Sequence, residues 1–275
     1  MSNEQSVSRH YTHGRLEQAI LDALAASGKD PNSLTPSDLS AVDEFHIGGR
    51  PATIDLGAQL DLAPHMHVLD VGCGIGGSSR TMTQEYGCRV SGIDLTDEYV
   101  QVAGALSRRT GLADRVSYRQ GSALALPFAA GTFDGAYMLH VGMNIADKAK
   151  LFSEVRRVLR PAALFGIYDV VREGAGEIRF PVPWAGSPEM SFVETAAVYR
   201  TLLAAAGFEV MKERSRRQFA IEFFRQLRAR IAASGSPTLG LQIVMGSTAL
   251  EKVANMVSLL ESGVISPTEL IARAR

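Results

Sequence analysis

Little in this sequence calls for a special environment. Two cysteines, Cys73 and Cys88, exclude a disulfide framework and read as reduced thiols. Charge of either sign is scarce in excess: 28 Lys and Arg stand against 29 Asp and Glu, a formal net charge of −1. No overall field therefore recruits nucleic acid or an anionic membrane surface. No run of about eighteen uninterrupted apolar residues occurs, so no membrane span is expected. The polar segment Met1–His10 lacks the apolar core of a secretory signal and is read as disordered. A cytoplasmic location is the expectation. Internal repeats and low-complexity tracts are missing, and no His, Cys, Asp and Glu set has metal-ligand spacing, so no metal site is expected. What is present is ordinary for a globular protein with a sizeable core, at 46% hydrophobic and 21% charged residues. A length of 275 residues suits one large domain, or one domain with an appended lid.

The most informative stretch is His67 to Gly77. Val68 to Val71 is an apolar run short enough for one buried strand. Four glycines follow within six residues, Gly72, Gly74, Gly76 and Gly77, and then a helix-compatible segment. Strand, glycine turn and helix bring backbone N–H groups close to a nucleotide-like ligand. A second strand, Arg89–Ile93, ends at Asp94, whose carboxylate can accept both hydroxyls of a ribose.

From there the periodicity alternates. Strands are expected at 116–120, 136–139 and 163–170, with helices at 76–86, 98–110 and 148–159, the last stopped by Pro161. This predicts an α/β fold, a doubly wound, mainly parallel Rossmann-like sheet. Helical segments at 16–26, after Thr35-Pro36, and at 52–60 make residues 1–62 an N-terminal helical cap. Residues 63–275 form the ligand-binding domain, with a lid insertion at about 172–195 and C-terminal helices near 216–232 and 240–262. Phe208–Glu213 is a sixth strand. Thr268–Arg275 fits either a strand or a short helix. The arginines from Arg214 to Arg230 are interleaved with acids, which reads as solvated helix faces and not as a nucleic-acid site.

The glycine pattern alone fits both dinucleotide-dependent oxidoreductases and methyltransferases. Asp70, two residues before the first glycine, argues against a pyrophosphate, which a carboxylate there would repel. With Leu126-Pro127-Phe128, Gly131-Thr132-Phe133-Asp134 and Leu159-Arg160-Pro161, the chain resembles the class I S-adenosylmethionine-dependent methyltransferases. The resemblance runs over roughly residues 45–215. It lies nearest the small-molecule branch that includes ubiquinone/menaquinone C-methyltransferases and sarcosine/dimethylglycine N-methyltransferases.

The resemblance implies a set of cofactor contacts. Gly72 and Gly74 let the backbone touch the methionine part of S-adenosylmethionine. Asp70 orders the turn and faces the amino group, directly or through water, Asp94 grips the ribose and Leu95 packs on the adenine. Ser122 and Ala123 occupy the positions that contact the adenine amino group and ring. The common residue at the first of these is Asp, so Ser122 departs from the pattern, as does Pro161-Ala-Ala where Pro-Gly-Gly is common.

His140, at the ligand edge of the sheet, is a cofactor contact and a candidate base, as is His46 in the segment Phe45-His46-Ile47-Gly48-Gly49. Tyr11 and His13 are candidates for the same lid. Met143 and Asn144 are candidate substrate contacts. Trp184 is either an apolar wall of the substrate site or the anchor of its loop. The implied activity is transfer of a methyl group from S-adenosylmethionine to a small-molecule acceptor by in-line displacement, leaving S-adenosylhomocysteine. A glycine-derived amine or a natural-product hydroxyl is the candidate acceptor. The alternatives are an NAD(P)-dependent oxidoreductase and a noncatalytic cofactor-binding protein. Oligomeric state is not readable from the sequence.

Overall fold

The computed structural model describes residues 3–235 and 237–275. Four helices open the chain: α1 (Asn3–Tyr11), α2 (Leu16–Ala26), α3 (Pro36–Asp43) and α4 (Gly49–Gly57). The α/β alternation follows as β1 (His67–Val71), α5 (Gly77–Tyr86), β2 (Arg89–Asp94), α6 (Asp97–Arg109), β3 (Val116–Gln120), β4 (Phe133–Leu139), α7 (Lys148–Val158) and β5 (Leu159–Arg172). The chain ends with α8 (Ala196–Ala205), β6 (Phe208–Ser215), α9 (Arg217–Ser234), α10 (Gln242–Met245), α11 (Ala249–Glu261) and β7 (Ile265–Ala274).

The seven strands form one sheet in the order β3-β2-β1-β4-β5-β7-β6. Strands β1 to β5 pair in parallel, and β7 pairs antiparallel with both β5 and β6. This is the expected doubly wound sheet with an antiparallel edge. Two faces of apolar side chains explain it. Leu151, Phe152, Val155 and Val158 lie on one stripe of α7 and bury against β4 and β5. Val68, Val90, Met82 and Tyr137 pack the opposite face together with Ala52 and Leu56 of α4.

Several expectations change, and the open choice at the C-terminal segment is decided. Residues 3–11 are helical, with Val7 buried and the polar face outward; residues 1 and 2 lie outside the described residues. The C-terminal segment is a strand. Its sequence hides this because β7 is buried on both faces, so Ser266, Thr268 and Glu269 are interior polar residues. Glu269, in turn, accepts from Arg214 at 2.7 Å and pairs with Arg216, so those two arginines brace the sheet edge instead of facing solvent on a helix. Finally, α7 runs directly into β5, and Pro161-Ala162 lies inside the strand, with Ala162 at φ 65°.

The cap does not have a core of its own. Leu16, Ile20, Leu24, Leu39 and Val42 share one apolar cluster with Tyr99, Val102 and Leu106 of α6 and Val244 of α10.

Candidate active site

A cavity of about 370 Å³ lies over the carboxyl ends of β1, β2, β3 and β4, where the strand order reverses. This is the crevice in which doubly wound sheets bind ligands, and the volume lies within the usual range for small-molecule sites. Its floor is the turn Gly72–Ile75, the segment Asp94–Thr96 and residues Gly121, Ala123 and Leu124. Leu139–Val141 and Asn144–Asp147 form one wall, and α1 with Val42–His46 forms the roof.

The turn after β1 is bare backbone by necessity. Gly72 has φ 73°, and a Cβ there would run into Val141 at 2.4 Å. Gly74 has φ 54° and would project a Cβ into open space, which is the cavity itself. The turn is fastened from the neighbouring strand: Gly72 N–H and Cys73 N–H donate to the Ile93 carbonyl at 2.8 and 3.0 Å. Gly74 N–H donates to Asp94 Oδ2 at 2.9 Å, and Thr96 N–H to Asp94 Oδ1 at 2.9 Å. Each Asp94 oxygen keeps a second lone pair, so the carboxylate can hold the turn and still accept a ligand hydroxyl. Burial raises its pKa, against the pull of these N–H donors.

Asp70 stands behind the turn and not at the cavity surface. It is 1% exposed and absent from the cavity lining. One of its oxygens, Oδ2, accepts from Ser78 Oγ at 2.9 Å, Ser79 Oγ at 2.6 Å and Tyr137 OH at 2.9 Å. Burial pushes its carboxyl up to about 6 despite those three hydroxyls. Asp70 thus pins the first turn of α5 to β1 and β4, ordering the glycine turn from behind.

The two candidate bases meet at the cavity wall, with ring centroids 6.0 Å apart. His46 Nε2 is 3.1 Å from the Gly49 carbonyl oxygen, which can only accept, so Nε2 carries the proton. His140 Nδ1 is 3.1 Å from the Tyr168 carbonyl and is protonated for the same reason. His140 Nε2 is then the acceptor and receives Ile47 N–H at 3.4 Å. Burial lowers His46 to about 4 and His140 to about 3, so both rings are neutral at pH 7. His140 has φ 54°, a strained conformation for a non-glycine residue at the ligand edge of a strand.

The remaining candidates divide. Leu95, Ala123 and Asn144 line the cavity. Ser122 does not; its Oγ accepts Leu124 N–H at 3.0 Å and donates to Glu4 Oε1. Met143 is packed in the apolar cluster around α9 and α11, with Val182, Trp184 and Ala185. Trp184 is 1% exposed there, and its Nε1 donates to Ser191 Oγ at 3.0 Å. It is therefore the loop's anchor and not a cavity wall. Asn144 joins the two regions, accepting from Tyr11 OH at 3.0 Å and donating to the Trp184 carbonyl at 2.7 Å. Tyr11 belongs to the roof, whereas His13 is exposed and outside it.

Sequence reasoning missed Glu4 and Val7 of α1 and Val244 as lining residues. It also missed how the roof is docked. Arg80, fully buried in α5, donates to Asp43 Oδ2 at 2.7 Å and to the Ile75 carbonyl at 2.9 Å. The only available signal was the Val7/Tyr11 spacing of i and i+4 in an otherwise polar stretch.

Fold and site together place a ligand-sized cavity over a glycine turn and a strand-end aspartate in a doubly wound sheet. Residues 69–167 match the family model described as Methyltransferase domain, Methyltransf_11. The chain is 34% identical to a sterol 24-C-methyltransferase of Eremothecium gossypii over 246 residues, which is 78% of this chain and 64% of that protein. A second relative, a sterol 24-C-methyltransferase of Gibberella zeae, is 34% identical over 114 residues and is covered to 30% of its length. The chain thus spans less than two thirds of these relatives. Among solved structures, geranyl diphosphate C-methyltransferase of Streptomyces coelicolor superposes over 100% of this chain and 98% of its own, with a TM-score of 0.72 at 17% identity. That likeness concerns the fold.

Proposed function

We propose that the protein binds S-adenosylmethionine in this cavity and transfers its methyl group to a small, uncharged acceptor. The observation that carries the reading is the Gly72–Gly74 backbone, which lines a cavity at the strand ends and is held there by Asp94, in a segment that matches a methyltransferase domain. The residues fit the donor: a bare turn at β1 suits an amino-acid moiety, Asp94 suits ribose hydroxyls, and Leu95 with Ala123 and Leu124 suits a purine face. The oxidoreductase alternative is not retained.

When bound, S-adenosylmethionine supplies an already activated sulfonium methyl, so no acid is needed from the protein. The chain's part is orientation and exclusion of water, with the acceptor held at about 3–3.5 Å from the methyl carbon. The roof of α1 and Val42–His46 closes the site above, and Val141 and Ile145 narrow it from the side. No Lys or Arg lines the cavity among the described residues, while Glu4, Asp43, Asp94 and Asp147 do. A phosphate- or carboxylate-bearing acceptor would meet like charge there, which favours a hydroxyl or carbon nucleophile on an apolar skeleton over a glycine-derived amine. For a hydroxyl acceptor, His46 Nδ1 is the imidazole nitrogen left to accept its hydrogen, with His140 holding the adjoining Ile47 backbone.

The reading needs no nucleic-acid partner, and the two free, buried cysteines suit a reducing cytoplasm. No helix among the described residues is long and apolar enough to cross a membrane. Calorimetric titration with S-adenosylhomocysteine tests the proposal: one site per chain is expected, and no binding would overturn it. Transfer of labelled methyl to neutral phenols or prenyl alcohols, but not to sarcosine, is the expected acceptor pattern.

A further inference from the structure

The ends of β1, β2 and β3 lie side by side in the sheet, and each carries a different part of the site. The glycine turn follows β1, Asp94 ends β2, and Gly121 to Leu124 follow β3. A ligand laid across them with its amino acid at the turn and its ribose at Asp94 has its purine at the end of β3. There the floor offers only Gly121, Ala123 and Leu124, which provide an apolar face. Ser122 turns out of the lining, and its hydroxyl hydrogen is committed to Glu4. The side-chain carboxylate brought to this end of the cavity is therefore that of Glu4, from the roof.

Helix α1 is tied down along its length. Glu4 is bound to Ser122, Asn3 Nδ2 donates to the Asn144 carbonyl at 3.5 Å, Tyr11 OH donates to Asn144 Oδ1 at 3.0 Å, and His10 Nε2 lies 3.4 Å from the Pro183 carbonyl. A carboxylate offers about four lone-pair sites, so Glu4 can hold Ser122 and still accept from a ligand amine.

We propose that Glu4 recognises the exocyclic amino group of the bound purine, so that the roof reads the base and the base helps hold the roof. This rests on the S-adenosyl reading of the site. It makes Glu4 a specificity-determining residue supplied by a segment outside the parallel sheet.

The test compares S-adenosylhomocysteine with S-inosylhomocysteine, in which the amino group is replaced by a carbonyl that would face the Glu4 carboxylate. Dissociation constants are measured by calorimetry for wild type, Glu4→Gln, Glu4→Ala and Ser122→Ala. Wild type should prefer the adenosyl ligand by at least about tenfold, the scale of one charge-assisted hydrogen bond. Glu4→Gln and Glu4→Ala should weaken adenosyl binding about tenfold and cut the preference below about threefold. Ser122→Ala should keep most of the preference. The ligand-free melting temperatures of Glu4→Ala and Ser122→Ala, which lose the same tie, should match each other, separating recognition from folding. Glu4 variants that bind both ligands as wild type does would overturn the proposal, as would loss of the preference in Ser122→Ala alone. Wild-type protein that binds neither ligand would overturn the donor reading as well, an outcome distinct from the first.

Discussion

The Asp94 carboxylate accepts the backbone N–H of Gly74 at 2.9 Å, tying the end of β2 to the turn that follows β1. With Thr96 N–H on its other oxygen, both sides of the carboxylate face donors from the protein. Asp94→Asn keeps the shape but turns one oxygen into an NH₂ group, which must face an N–H donor. The turn should loosen and one acceptor for the ligand should go. An affinity for S-adenosylhomocysteine lower by at least about tenfold, or 1.4 kcal/mol, is expected by calorimetry. An unchanged dissociation constant would contradict this role.

Asp70 should behave in the opposite way. Its three hydroxyl partners are Ser78, Ser79 and Tyr137, and Asp70 itself is almost wholly buried. Asp70→Ala strands these donors, at a cost of about 3 kcal/mol. Thermal unfolding should show a melting temperature lower by roughly 6–12 °C for a chain of this size. Tyr137→Phe removes a single donor and should cost about 1 kcal/mol. Folded Asp70→Ala protein should lose less ligand affinity than Asp94→Asn, since Asp70 does not line the cavity.

These two aspartates show how far local sequence patterns reach. Strand, glycine turn and strand-end acid are all local, so the sheet and the cluster of Gly72, Gly74 and Asp94 are legible from the residues alone. Asp70 is visible as unusual, but the partners that define its role come from α5 and from β4, far along the chain. Ser122 is a similar case: its departure from the usual Asp is readable, whereas Glu4, 118 positions away, is not. The β7 strand is obscured by interior polar residues whose partners, such as Arg214 and Arg216, are equally distant. Trp184 fits an anchor or a wall equally well in sequence, and the packing of α9 and α11 selects the anchor.

The buried imidazoles predict a particular pH response. An unfolded His titrates near 6.5, but burial lowers His46 to about 4 and His140 to about 3 in the folded state. Below pH 6.5 the unfolded chain takes up protons that the folded protein does not. The contribution to stability is full above that pH and is lost as pH falls toward 4, by up to about 1.4 kcal/mol per unit for each ring. Asp43, Asp70 and Asp169, all raised to about 6, act in the opposite sense, losing stability as pH rises from 4 to 6. The comparison that isolates the rings is therefore wild type against His46→Gln and His140→Asn, where Asn tolerates the left-handed backbone. Chemical denaturation at pH 7, 6 and 5 should show both variants losing less stability on acidification than wild type. Parallel curves would refute neutral, buried histidines. The methyl-transfer rate should likewise show no acidic limb near pH 6.5.

Ala162 lies at φ 65° in the first residues of β5, where an alanine Cβ crowds the following carbonyl. Replacing Ala162 by glycine removes a strain of about 1–2 kcal/mol, while the freer unfolded chain offsets about 0.4–1 kcal/mol of that gain. The net expectation is a protein more stable by about 0.5–1 kcal/mol, with a melting temperature higher by roughly 1–4 °C. Ala162 is remote from the cavity lining, so affinity for S-adenosylhomocysteine should stay within about twofold of wild type. A destabilised Ala162→Gly variant would mean that the alanine methyl contributes packing worth more than the backbone strain.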